Sequence, residues 1–320
     1  MPLKNTDKNN RLIKPGRLLP GARIGVVSPA CWLEADKQEK AAKALSDLGY
    51  EVILGSSTHL RQNQYAGTPE ERAADLHRMF ADPAIDAILC SRGGYGSNRV
   101  LPLLDYALIR ANPKIFMGFS DITGILASLA QHAGLVGFHG PMLYSFSKEV
   151  VPYNLETLQT VLSGQDDLII RSSESCQARI LKPGVASGPL WGGNLILVCE
   201  RLGTRNQINT RGAILFLEEI DEKLYAFDRL MLQLKNSGSL DGIKGLIIGE
   251  MIEIGDSKVP FGKTIDEIVL DVCQGLDIPV ISNFPCGHGR CQATLPISHP
   301  IELHADGDDP FLRIPESPVV

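Results

Sequence analysis

Three short segments of this 320-residue chain hold the residue types that acyl transfer needs: a serine at a strand-to-helix corner, a histidine in a glycine-flanked loop, and two carboxylates closing an apolar run. In KIFMGFSDITGILASLA, the apolar run at 114–117 leads through Gly118, Phe119 and Ser120 into an apolar helical pattern, so the Ser120 hydroxyl stands at a helix N-terminus. A nucleophile there gains from the helix dipole, and the amide of Asp121 can donate to a developing oxyanion. A serine at this position is also a common helix cap, and Ile122 breaks the G-x-S-x-G pattern. The residue types alone leave both readings of Ser120 open.

The segment SRGGYGS, residues 91–97, is neither G-x-G-x-x-G nor a phosphate loop, because no Lys-Ser/Thr pair follows. Its glycines suit close backbone approach, and the amides of Gly93 and Gly94 beside the Ser120 corner could complete an oxyanion hole. A hydroxyl nucleophile also needs a base, and the base an orienting partner. Of the seven histidines (His59, His77, His132, His139, His288, His299, His304), His288 sits in NFPCGHGRC between Gly287 and Gly289, directly after a strand. A glycine-flanked loop of that kind places an imidazole well, with turn stabilisation as the plain alternative. His139 ends another strand in FHGPM, where a structural hydrogen bond is at least as good a use. His77 and His132 fall on mixed helix faces and read as surface residues. Glu218 and Glu219 end the strand GAILFL; successive strand residues point to opposite faces, so one of the two can face a crevice while its neighbour does not.

These residues need a scaffold. The first half alternates β-rich runs (23–27, 50–54, 85–90, 114–117, 135–138) with helical patterns (34–48 closed by Gly49; a helix opened by Thr68, Pro69 and Glu71 in capping-box register; 121–131). That alternation predicts a doubly wound parallel sheet, whose ligand crevice lies beyond the carboxyl ends of the strands. SPACW (28–32), SRGGYGS and GFSDIT all fall there. A polar stretch at 166–178 reads as a linker between an N-terminal α/β domain, 1–165, and a smaller β/α domain, 179–320. The latter shows strands at 213–217 and 246–248, helices at 226–235 and 264–272, and short strands at 279–282, 301–304 and 311–314.

Composition narrows the function classes. A net charge of −6 supplies no basic field for a phosphate backbone, so nucleic acid is not an expected partner. No run approaches the roughly 18 to 20 apolar residues of a membrane span, and the N-terminus has positive charge without an apolar core, so a cytoplasmic location is expected. The seven cysteines are odd in number and scattered, which suits reduced thiols. Cys286 and Cys291 flank His288, but no second ligand pair stands at zinc-site spacing, so no metal is expected.

Taken in order and spacing, SRGGYGS, GFSDIT, FHGPM, WGGNL, LGT, LFLEEIDEKLYAFDR and the late GH loop resemble the LD-carboxypeptidase family of serine peptidases, which includes microcin C self-immunity hydrolases. The resemblance runs from about Leu19 to His304. It implies a flavodoxin-like N-terminal domain, a swivelling-type β/α C-terminal domain, no cofactor, and a homodimer. It implies a Ser-Glu-His triad of Ser120, Glu218 and His288, with Glu219 standing where the family carries Asp, which leaves the choice of carboxylate to be decided. It implies an oxyanion hole from Gly94 and the Asp121 amide, and a pocket lined by Gly93, Gly140, Pro141, Met142, Trp191, Gly192, Gly193 and Asn194. The implied substrate is a small peptide, a murein tetrapeptide losing its terminal D-alanine. The alternatives are a microcin-type hydrolase of peptidyl or aminoacyl nucleotide analogues, with Trp191 stacking on a base, and a non-catalytic binding module on the same fold.

Overall fold

The computed structural model describes residues 12–320. The reading of the N-terminus above falls in large part on residues 1–11, which lie outside the described residues. The chain forms two compact units. The first runs to Gln165 and takes in Thr294–Ser298 and Ser317–Val320; the second holds Asp166–Ala293 and His299–Glu316. Two late segments expected in the C-terminal domain thus pack with the first unit.

In the first unit, β1 (Arg23–Val27), β2 (Glu51–Leu54), β3 (Ala87–Cys90), β4 (Ile115–Gly118) and β5 (Gly137–His139) pair in parallel in the order β5-β4-β3-β1-β2, the flavodoxin-like order. A late strand, Leu295–Ile297, adds antiparallel beside β5. The crossovers carry α1 (Ala35–Asp47), α2 (Pro69–Ala81), α3 (Tyr106–Ala111) and α4 (Thr123–Ser128), and α5 (Leu143–Phe146) and α6 (Pro152–Val161) follow β5. Helix α1 buries Ala41 and Leu45 and is followed by Gly49 at φ +92°, a left-handed stop that suits glycine. Helix α2 starts on the expected capping box: Thr68 accepts from Glu71 N at 3.2 Å and Thr68 N donates to Glu71 at 2.8 Å. The core is aliphatic and aromatic on both faces of the sheet, with Val26, Ile88, Phe80, Phe116 and Phe138 fully buried.

The second unit is built on one eight-stranded sheet. Its strands are β6 (Leu168–Arg171), β7 (Arg179–Lys182), β8 (Gly184–Asn194), β9 (Ile214–Ile220), β10 (Gly245–Ile252), β11 (Val280–Phe284) and, after the late strand, which is β12, β13 (Pro300–Ala305) and β14 (Phe311–Ile314). Strands β8 to β11 run parallel, flanked by antiparallel neighbours. Helices α7 (Leu195–Cys199), α8 (Leu224–Asn236) and α9 (Ile265–Val272) complete it. The stretch 166–178 is not a linker: it carries the edge strand β6, which pairs with β14 and buries Leu168 and Ile170 while Ile169 and Arg171 face out. Four alternating residues among polar neighbours are too short a signal to stand out. Strand β8 was not foreseen either, because GVASGPLWGGN reads as turn. Its glycines serve close packing: a Cβ on Gly188 would stand 2.4 Å from Gly212 O, and one on Gly192 would stand 1.8 Å from Phe216 O.

Candidate active site

The expected helix beginning at Asp121 is a composite. Residues 120–122 form a single 3₁₀ turn, α4 follows, and a π turn spans Leu129–Ala133. Ser120 is not its cap. The cap position falls to Phe119, with no side-chain cap bond, and Ser120 itself holds φ +61°. A left-handed serine costs on the order of 1–3 kcal/mol and persists only where the surroundings impose it. This sharp strand-to-helix turn, at the carboxyl end of a parallel strand, is the nucleophile-elbow geometry, and it leaves the half-buried hydroxyl unspent as a cap.

The loops after β1, β3, β4 and β5 are tied together at this edge. Ser28 and Ser91 share a hydroxyl hydrogen bond of 2.6 Å, Tyr144 N donates to Ser91 O at 2.9 Å, and Gly140 N donates to Gly118 O at 3.3 Å. The glycine loop is seated on Ser120. A Cβ on Gly93 would lie 2.9 Å from Ser120 Cβ, 3.1 Å from its Oγ and 3.2 Å from Asp121 N, so only glycine allows this approach. Gly94, at φ +105°, faces Cys31 instead, whose Sγ would lie 2.6 Å from a Cβ there. Asp121 is buried, and its carboxylate accepts from Ser97 N at 2.8 Å while Ser97 Oγ donates to Asp121 O at 2.6 Å. Burial raises the Asp121 pKa, opposed by these bonds from Ser97. Gly140, Pro141 and Met142 are buried directly after β5.

In the second unit, Glu218 and Glu219 stand just before Ile220 at the end of β9, both buried, and strand alternation sends them opposite ways. Glu218 Oε2 lies 2.7 Å from His288 Nδ1. Glu219 is engaged elsewhere: it accepts from Asn194 Nδ2 at 2.8 Å and from Ile196 N at 2.9 Å, fastening the start of α7. The geometry therefore pairs His288 with Glu218. Burial is the largest influence on His288 and lowers its pKa, but the hydrogen bond and charge of Glu218, with the charge of Glu219, outweigh it, and the net shift is upward. His288 keeps 15% of its side chain exposed while Glu218 has none, so only the imidazole can meet a ligand.

Both glycines around His288 answer to carboxylates. Gly287, at φ +118°, would place a Cβ 2.6 Å from Glu218 Oε2, and Gly289 would place one 1.8 Å from Glu250 Oε2. Glu250 was missed in the sequence; it is half-buried, and burial raises its pKa. Trp191 is half-buried on β8, Gly192 and Gly193 are buried with positive φ, and Asn194 caps α7 while holding Glu219. Asn194 is thus a support for Glu219. Arg72 was also missed, although it shares the i, i+4, i+7 stripe of Leu76 and Met79 that marks the buried face of α2. Arg229 stacks over Tyr225 and Arg92 over Tyr144. His77 is half-buried and accepts from Asp105 N at 2.9 Å. Among the described residues, no three His, Cys, Asp or Glu side chains gather as a metal site, and no helix is long and apolar enough to cross a membrane.

Comparison with known proteins adds two matches to family models: the LD-carboxypeptidase N-terminal domain over residues 24–140 and the LD-carboxypeptidase C-terminal domain over residues 187–303. The chain is 36% identical to the probable murein peptide carboxypeptidase of Bacillus subtilis (strain 168), with 89% of each chain covered. The solved muramoyltetrapeptide carboxypeptidase from Oxalobacter formigenes superposes with TM-score 0.84 at 28% identity, covering 93% of this chain and all of that one. The microcin C7 self-immunity protein MccF, solved with glutamyl sulfamoyl guanosine, superposes with TM-score 0.88 at 26% identity, covering 96% of this chain and 99% of that one.

Proposed function

Since this chain belongs to the LD-carboxypeptidase family and is a hydrolase of the carboxypeptidase kind, we propose that it releases the C-terminal D-alanine of murein tetrapeptides through a serine acyl-enzyme. Ser120 is the nucleophile, His288 the base and Glu218 its orienting partner. The observation that carries the reading is the 2.7 Å bond from a fully buried Glu218 to His288 Nδ1, together with the left-handed, uncapped Ser120. The carboxylate fixes the imidazole with its proton on Nδ1, so Nε2 is the nitrogen that takes the serine proton. Ser120 Oγ attacks the amide carbonyl, and the amide of Asp121 with that of Gly94 in the glycine loop holds the oxyanion. His288 then protonates the leaving amine of D-alanine, and water, activated by the same base, releases the acyl group.

Gly93, Gly140, Pro141, Met142, Trp191, Gly192, Gly193 and Asn194 are proposed to shape the pocket, Asn194 by fixing Glu219 and the end of β8. No metal or cofactor is called for in this scheme. We place the enzyme in the cytoplasm as a homodimer, in the recycling of cell-wall peptides; seven unpaired cysteines suit a reducing compartment. A half-buried Trp191 favours one second reading, a hydrolase of aminoacyl nucleotide analogues, in which the indole stacks on a base.

Purified protein incubated separately with murein tetrapeptide and with an aminoacyl sulfamoyl adenosine distinguishes the two. Stoichiometric D-alanine from the first supports the carboxypeptidase; turnover of the second alone overturns it.

A further inference from the structure

We infer that Arg72 is a positioning residue for the oxyanion loop, an inference that rests on the functional reading above. Arg72 is 1% exposed in the first unit, on the core-facing stripe of α2. Nη1 donates to Pro29 O at 2.7 Å and to Gly96 O at 3.0 Å, and Nε donates to Thr68 O at 3.3 Å. One side chain thus fastens SPACW, SRGGYGS and the start of α2 to each other. The bonds continue to the nucleophile. Gly96 precedes Ser97, Ser97 is bonded twice to Asp121, and Asp121 follows Ser120 and carries one proposed oxyanion amide. At the other end of the same loop, Gly93 lies against Ser120.

Packing leaves this loop little freedom of its own. Gly96 sits at φ +112°, and a Cβ there would stand 2.6 Å from the Tyr65 ring and 3.3 Å from Arg72 Nη1. The Arg72 guanidinium lies over the Tyr65 ring at 5.2 Å. A buried cation is costly, and Arg72 Nη2 is buried with no hydrogen-bond partner, which adds to the cost. An apolar side chain would fill the space more cheaply. What it could not do is donate to the Pro29 and Gly96 carbonyls from Nη1 while Nε holds Thr68 O, and a lysine ammonium has no second nitrogen to span all three.

The test compares wild type with Arg72→Lys and Arg72→Met. It reads folding by circular dichroism, kcat and KM for D-alanine release, and the rate at which a fluorophosphonate labels Ser120. In that labelling the Ser120 O–P bond forms, fluoride leaves and the hydroxyl proton goes to the base, with the phosphonyl oxygen in the oxyanion position. The expected result is a fall in kcat of about 100-fold with KM nearly unchanged, and labelling slowed in parallel, the loss typical of a displaced oxyanion donor. Methionine should fold at least as well as lysine, and neither should recover much of kcat. If the buried charge proves essential for folding, Gly96→Ala perturbs the loop with the charge intact, and the same kcat-selective loss is expected. A folded variant with wild-type kcat and labelling rate, or one that loses only KM, overturns the inference. Should wild type release no D-alanine, the functional reading fails, while the labelling rates still decide the role of Arg72.

Discussion

Glu218→Gln is the most informative single substitution, because it keeps the volume of a buried side chain and removes only its charge. Glu218 has no exposed surface, Oε2 holds His288 Nδ1 at 2.7 Å, and Oε1 is buried with no hydrogen-bond partner. In the acylation transition state the imidazole becomes an imidazolium facing this carboxylate. With charge centres about 4 Å apart and an effective dielectric near 20, the lost interaction is about 4 kcal/mol, or about 1,000-fold in kcat. A glutamine amide turned toward Nδ1 would also favour the wrong tautomer and deepen the loss, toward roughly 10,000-fold. The pH profile moves in a defined direction. His288 must be neutral to act as base, Glu218 is the main group holding its pKa up, and burial is left to push it down. The acid limb of kcat should therefore shift to lower pH in the variant. Steady-state D-alanine release from pH 5 to 9 measures both effects. Glu219→Gln is the control: it weakens the anchor on Asn194 and Ile196, costing about 1–3 kcal/mol of stability with kcat close to wild type. A Glu218→Gln enzyme with near wild-type kcat, or a collapse of kcat in Glu219→Gln instead, would refute the assignment.

Other expected outcomes follow from the same geometry. In wild type, the acid limb of kcat/KM should lie above the ordinary histidine value of about 6.5, because the net shift of His288 is upward; a limb below it would contradict the Glu218 contact. Gly287→Ala sets a Cβ 2.6 Å from Glu218 Oε2 at φ +118°. Left-handed strain of about 1–2 kcal/mol and overpacking of about 1–3 kcal/mol should lower stability and kcat together, as read by urea unfolding and kinetics. Thr68→Ala removes one half of the capping box on α2 and should cost about 1 kcal/mol with activity retained.

Much of the scaffold is legible in the residues because local signals and tertiary packing agree there. The Thr68-Pro69-Glu71 box, the Ala41 and Leu45 stripe, and the apolar runs of β1, β3 and β4 each announce one element with one mechanism. Legibility fails where glycine serves packing. In β8, Gly188 and Gly192 imitate a turn because their lack of a side chain is needed by a neighbouring backbone that only the fold brings near. At the candidate site, the residue types of Ser120, Glu218 and His288 can be picked out as candidates. The left-handed backbone of Ser120, the division of labour between Glu218 and Glu219, and the buried fork of Arg72 cannot, since each depends on partners far away in sequence.

A covalent intermediate at Ser120 is the most direct consequence of the proposed chemistry. Wild-type enzyme quenched in acid during turnover of murein tetrapeptide, then digested and analysed by mass spectrometry, should carry the acyl tripeptide on the peptide containing Ser120, with D-alanine released. Ser120→Ala should show neither. D-alanine release by a folded Ser120→Ala protein would show that Ser120 is not the nucleophile.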